Sequence, residues 1–189
     1  MHRPDQPSRF AAHDDHDDQH PATLPMISTQ HSLRTMPEWV NIRHLVDEAC
    51  AALAPQMSEC HVETVTDIPR SLDFFVDRRM LGSAVRNLVA NACEAMPDGG
   101  RLVITSSIGR HGLELEVADS GPGLSDECRQ RAFEPRFTTK HGASGMGLAM
   151  VWRIAHAHGG DVVAANCPEG GAAFTLRSWP AARPSPGCW

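Results

Sequence analysis

Asn87 and Asn91 are four residues apart in the stretch Asn87-Leu88-Val89-Ala90-Asn91-Ala92. On a helix that spacing turns both amides to one side. An amide oxygen is a hard, neutral ligand suited to magnesium, an ion that keeps waters and bridges phosphate oxygens. Glu94 falls on the same side, placed to act through water. Asp119-Ser120-Gly121-Pro122-Gly123 follows an apolar segment. A carboxylate at a strand end accepts hydrogen bonds from amino groups, and Gly121 and Gly123 permit close approach and left-handed turns. Lys140 closes Phe133-Glu134-Pro135-Arg136-Phe137-Thr138-Thr139-Lys140 and brings a cation within reach of phosphates. Gly142-Ala143-Ser144-Gly145-Met146-Gly147-Leu148 is a glycine-rich loop that opens onto a helix. Backbone N–H groups at such a helix start suit phosphate oxygens. Taken singly, each has a plain reading: two solvated amides, a common Asp-Ser-Gly turn, a loop lysine, an isolated Gly-x-Gly. In this order, within about sixty residues, they are the parts of a site for ATP and a magnesium ion.

The elements that must position these residues are readable from periodicity. From Trp39 the pattern is helical, with Val40, Leu45, Val46, Ala49 and Leu53 on one face. His61 to Ile68 and Leu72 to Val76 read as strands. Asp77 is a good N-cap for the next helix. There Leu81, Ala84, Val85, Leu88, Val89, Ala92 and Met96 recur at three- and four-residue steps, the strongest helical signal in the chain. Pro97-Asp98-Gly99-Gly100 ends it. Arg101 to Ile108 and Leu113 to Ala118 read as an antiparallel hairpin, with Leu113, Leu115 and Val117 alternating with Glu114 and Glu116. A helix is expected from Ser125 to Ala132 and another from Leu148 to His158, stopped by Gly159-Gly160. Val162 to Asn166 and Ala173 to Ser178 are the last strands. His156 and His158 read as helix-end residues. The sum is an α/β two-layer sandwich, with a mixed, mostly antiparallel sheet and helices on one face.

Bulk properties narrow the partners. The chain has 189 residues, a net charge of −6 and 41% hydrophobic residues, with no basic stripe to hold nucleic acid. Its six cysteines show no Cys-x-x-Cys pairing, which argues against zinc and against a disulfide framework and fits a reducing cytosol. No run approaches the roughly 18 apolar residues of a membrane helix, and no signal segment opens the chain. Residues 1–37 and 180–189 read as disordered tails around a domain at 38–179. The His/Asp cluster at 13–20 fits no defined metal site.

The four motifs together resemble the catalytic ATP-binding domain of bacterial sensor histidine kinases. That domain lies within the superfamily of gyrase, chaperone, histidine-kinase and mismatch-repair ATPases. The resemblance covers roughly residues 38 to 179. Asn91-Ala92-Cys93-Glu94-Ala95-Met96 and Phe137-Thr138-Thr139-Lys140 bring it nearest to the nitrogen-regulation and oxygen-sensor kinases. It implies the left-handed ATP-binding fold of that family, with ATP between helices and a flexible lid. It implies that Asn91 holds magnesium. ATP would be bound by Asn87, Asn91, Asp119, Gly121, Gly123, Lys140, Gly145, Met146, Gly147 and Leu148, with Asp119 setting adenine specificity and Thr175 near the base. Hydrolytic members carry a water-activating Glu where this chain has Asn87, and an amide cannot take a proton as general base. The site is thus suited to phosphoryl transfer over hydrolysis. Arg136 stands where the family more often shows an aromatic.

The implied activity is donation of the γ-phosphoryl group of Mg-ATP to a protein histidine in two-component signalling. The implied partners are a protein bearing that histidine and a downstream response regulator. No dimerising, phosphoacceptor hairpin is legible, so the expectation is a cytoplasmic monomer acting in trans. His31, in His31-Ser32-Leu33-Arg34-Thr35, echoes an acceptor motif without its acidic neighbour or its second helix. Two other functions fit the same motifs: a stand-alone serine kinase of the anti-sigma-factor type, and a non-catalytic ATP-binding regulatory module.

Overall fold

Trp39 and Val40 stand where periodicity predicts a helix, and they form a strand instead. In the computed structural model, which describes residues 33–109, 112–140 and 142–178, β1 spans Glu38–Asn41 and α1 only Ile42–Ala52. Asn41 is extended, and its side chain accepts from the His44 N–H at 2.9 Å, so it caps the helix and fixes where the helix starts. A second short helix, α2 (Ala54–Glu59), was not expected; Pro55 suits its first turn and Met57 is its buried residue. Next come β2 (Val62–Asp67) and β3 (Asp73–Val76). β3 pairs antiparallel with β1, so that Val40 faces Phe74 and Trp39 packs on Phe75 with ring centroids 5.6 Å apart. Val40 matches helical spacing by coincidence. Its burial comes from this pairing with a distant segment.

Asp77 caps α3 (Arg78–Ala95) as expected, accepting from the Met80 N–H at 3.0 Å. Its other oxygen accepts from the Met36 N–H at 2.8 Å, which ties the chain ahead of β1 to the helix start. Leu81, Ala84, Val85, Leu88, Val89 and Ala92 are buried. Fully burying a Leu or Val side chain contributes about 1.5–3 kcal/mol, so this stripe anchors the helix whose other side carries Asn87 and Asn91.

The expected hairpin is β4 (Gly100–Gly109) with β5 (Gly112–Asp119), in a register that sets Ile104 against Val117 and Leu102 against Asp119. α4 (Asp126–Arg131) is capped by Ser125, α5 spans Gly147–Ala157, and β6 (Asp161–Asn166) and β7 (Ala172–Ser178) close the fold. The five-stranded sheet runs β2-β4-β5-β7-β6, with only β2 and β4 parallel. Leu102, Ile104, Leu115, Val117, Phe174 and Leu176 point inward into one core with α1, α3 and α5. The alternate residues of β5 and β7 point away from that core, where the Thr175 hydroxyl donates to Glu116 at 3.0 Å. The expectations for residues 1–32 and 180–189, His31 among them, lie outside the described residues.

Candidate nucleotide-binding site

A cleft of about 320 Å³ opens beside α3. Asn87, Asn91 and Glu94 form its helical wall. Phe137 to Lys140, with Gly145, Gly147 and Leu148 further along, form the facing wall, and Phe174 of β7 lines it too. The facing wall is gathered by its own contacts. Phe133 meets Phe174 edge-on at 6.3 Å, and the Arg131 guanidinium lies 4.3 Å from the centre of the Phe137 ring. At the loop's neck the Arg136 N–H donates to the Gly145 carbonyl at 3.0 Å. Gly145 has φ +64°, and a Cβ there would come within 2.5 Å of the Arg136 backbone, so only glycine fits. A Cβ on Gly147 would stand 3.2 Å from Asn87 Oδ1, which places that amide directly against the start of α5. Asn87 is oriented by its own helix, its Nδ2 donating to the Ser83 carbonyl at 2.8 Å.

Lys140 reaches across the cleft. Its ammonium donates to Asn91 Oδ1 at 3.0 Å, to the Asn91 carbonyl at 3.4 Å and to Glu94 Oε2 at 2.8 Å. Three oxygens of α3 therefore converge on one positive charge.

Asp119 is built differently. It is buried at the end of β5, and its Oδ1 accepts from the Gly121 N–H at 2.9 Å and the Ala172 N–H at 3.3 Å. Burial raises its carboxyl above the ordinary 3.8, and the two N–H donors and the Lys140 charge only partly offset that. Glycines make the pocket possible. A Cβ on Gly121 would press within 2.9 Å of the Ala95 carbonyl, and one on Gly171, at φ +90°, would overlap the Asp119 carbonyl.

The model of the histidine kinase-, DNA gyrase B- and HSP90-like ATPases matches residues 76–183. The chain belongs to this family. Among curated relatives, it is 35% identical over 123 residues to the nitrogen regulation protein NtrY of Azorhizobium caulinodans, covering 60% of this chain and 16% of that protein. It is 31% identical over 140 residues to sporulation kinase A of Bacillus subtilis, covering 74% of this chain and 23% of that one. The chain thus spans less than a quarter of these relatives' length. Among solved structures, the catalytic domain of the histidine kinase ThkA superposes with a TM-score of 0.71 at 26% identity, over 76% of this chain and 95% of that one. The α/β fold is that of histidine kinase catalytic domains, and the homologues are sensor histidine kinases.

Within this ATPase family frame the structure sorts the expected residues. Asn87, Asn91, Lys140, Gly145, Gly147 and Leu148 line one cleft. Asp119, Gly121 and Gly123 lie off its walls, around the β5 end, and Met146 turns out to solvent. Thr175 lies apart from these: strand alternation puts it on the opposite face of the sheet, bonded to Glu116, while its neighbour Phe174 faces the cleft. Two positions went unread in the sequence. Nothing local sets Gly171 apart, since a Gly-Gly pair ahead of a strand reads as a plain turn. Asn166 looked like a strand end, yet it accepts from the Leu124 N–H at 2.7 Å and donates to the Leu124 carbonyl at 2.9 Å, fixing the segment after Gly123. His156 and His158 make contacts within the fold. His156 stacks on Trp152 at 3.8 Å, and the buried His158 accepts from the Asp77 N–H at 3.2 Å.

Among the described residues no helix is long and apolar enough to cross a membrane. Nor, among them, do three His, Cys, Asp or Glu gather to hold a metal. Magnesium held by one amide oxygen, phosphate oxygens and water needs no such cluster.

Proposed function

We propose that this chain binds Mg-ATP in the cleft and donates the γ-phosphoryl group to a histidine of a partner protein, which passes it to a response regulator. Acting in trans as a cytoplasmic monomer completes the reading. One observation carries it: Asn91 and Glu94 present hard oxygens to a cation at 2.8–3.0 Å, with Asn87 beside them where a water-activating carboxylate would be needed for hydrolysis.

The donor set fits magnesium, because its oxygens already converge on one positive charge, that of the Lys140 ammonium. Asn91 would be the ligand, and bound magnesium neutralises phosphate charge during transfer. The rest belongs to the chain's own groups. Asp119 accepts a hydrogen bond from the adenine amino group. The backbone from Gly145 to Leu148 presents N–H groups at the start of α5 to phosphate oxygens. Asn87 orients without taking a proton, so water near it stays unactivated. The γ-phosphorus bond to the bridging oxygen breaks, a phosphorus–nitrogen bond to the acceptor imidazole forms, and ADP leaves with the electron pair.

The test is incubation with γ-labelled Mg-ATP, alone and with lysate of the source cell. An acid-labile band on another protein is the expected result. An acid-stable band would replace this reading with a serine kinase. Bound ATP with no labelled protein would replace it with a nucleotide-sensing module.

A further inference from the structure

The Lys140 ammonium is held on α3, with Asn91 Oδ1 at 3.0 Å and Glu94 Oε2 at 2.8 Å. It lies close to three oxygens of α3, two of Asn91 and one of Glu94. The same ammonium blocks the amide oxygen that a metal would need. Two cations cannot share one small seat of oxygens, since their repulsion at such spacing is large wherever water is partly excluded. The contact is also the tether of its own segment. Lys140 is 49 residues from Asn91 in sequence, and the neighbouring Thr138 and Thr139 are exposed.

We propose that Lys140 is an internal stand-in for the metal. It occupies the cation seat while nucleotide is absent and holds the Phe137–Lys140 segment on α3; the arriving metal expels it. Glu94 is then part of the cation seat. It is the anchor of the lysine in one state and an outer support of the ion in the other. Metal entry and release of the segment become one exchange. The freed ammonium turns to the phosphates. The pair is half exposed, with side-chain exposures of 35% and 48%, so the tether is weak enough to be displaced. This inference rests on the proposed Mg-ATP site, and its test is separable from it.

The experiment uses the nucleotide-free full chain, with amide hydrogen exchange over 137–140 and binding of Mn²⁺ followed by its electron spin resonance signal. Lys140→Met should speed exchange in that segment by about two- to fivefold, the range an exposed ion pair supports, and should tighten Mn²⁺ binding. Glu94→Gln should speed exchange similarly but weaken Mn²⁺ binding, because a carboxylate of the seat is lost. In the parent, Mn²⁺ alone should speed exchange at 137–140. Exchange at 137–140 unchanged in both variants overturns the stand-in role. Equilibrium dialysis with Mg-ATP separates the two readings. If the parent binds Mg-ATP and Asn91→Asp weakens it while exchange in both variants matches the parent, only the stand-in falls. If Asn91→Asp binds Mg-ATP like the parent, the site assignment falls first.

Discussion

The two ends of the site are held by opposite means. At the Asp119 end the residue is 5% exposed, its carboxylate takes hydrogen bonds from backbone N–H groups, and it sits among glycines whose Cβ atoms would clash. At the Lys140 end the hydrogen bonds across to α3 all come from one long side chain that is 35% exposed. Backbone donors have no rotamers to lose, so the Asp119 carboxylate is fixed in one orientation. A lysine on a loop is an adjustable point charge, suited to ligands that arrive with their own cation. Under the proposed function the adenine meets the first end and the phosphates the second.

The largest effect that would break this contrast is in the glycines. Gly171→Ala sets a Cβ on the Asp119 carbonyl at φ +90°, whereas Gly142→Ala, at φ +77°, meets nothing within 4 Å. The first should cost about 3–5 kcal/mol and the second about 1 kcal/mol of unfolding free energy, read by denaturant titration. Equal costs would mean that the Asp119 end is no more rigid than the loop.

Asp119→Asn should follow in size. Losing a charged acceptor for the adenine amino group should weaken ATP binding by about 1.5–3 kcal/mol in a calorimetric titration. Stability should move the other way. The folded carboxyl is raised above 3.8, so the folded state holds its proton more tightly than the unfolded chain does. That favourable contribution is present in acid and is lost as pH climbs through the raised value. Parent and variant should therefore unfold alike at low pH, and the variant should become the more stable as pH rises. A parent that gains on the variant with rising pH would contradict the burial argument.

The smallest effect should be that of Thr175→Val. Its hydroxyl bonds Glu116 on the far face of the sheet, so ATP binding should not change and stability should fall by no more than about 1 kcal/mol. Weakened ATP binding would return Thr175 to the site and extend the Asp119 end across the sheet.

What the sequence alone determined is local. α3 could be read because its period, its Asp77 cap and its Gly stop lie within one stretch of chain, and Asn87 and Asn91 follow from that period. The glycine-rich loop and the Asp119 turn could be read for the same reason. Only the tertiary structure decided the rest, because it depends on groups far apart in sequence. Val40 is a strand residue because Phe74 pairs with it, and Thr175 faces away from the cleft because the register of β7 on β5 turns Phe174 inward. Gly171 must be glycine because the Asp119 carbonyl lies against it. The ammonium of Lys140 meets Asn91 only once the loop is folded back on α3. Periodicity reports which face of an element is buried, while a site depends on which faces meet, and that depends on packing.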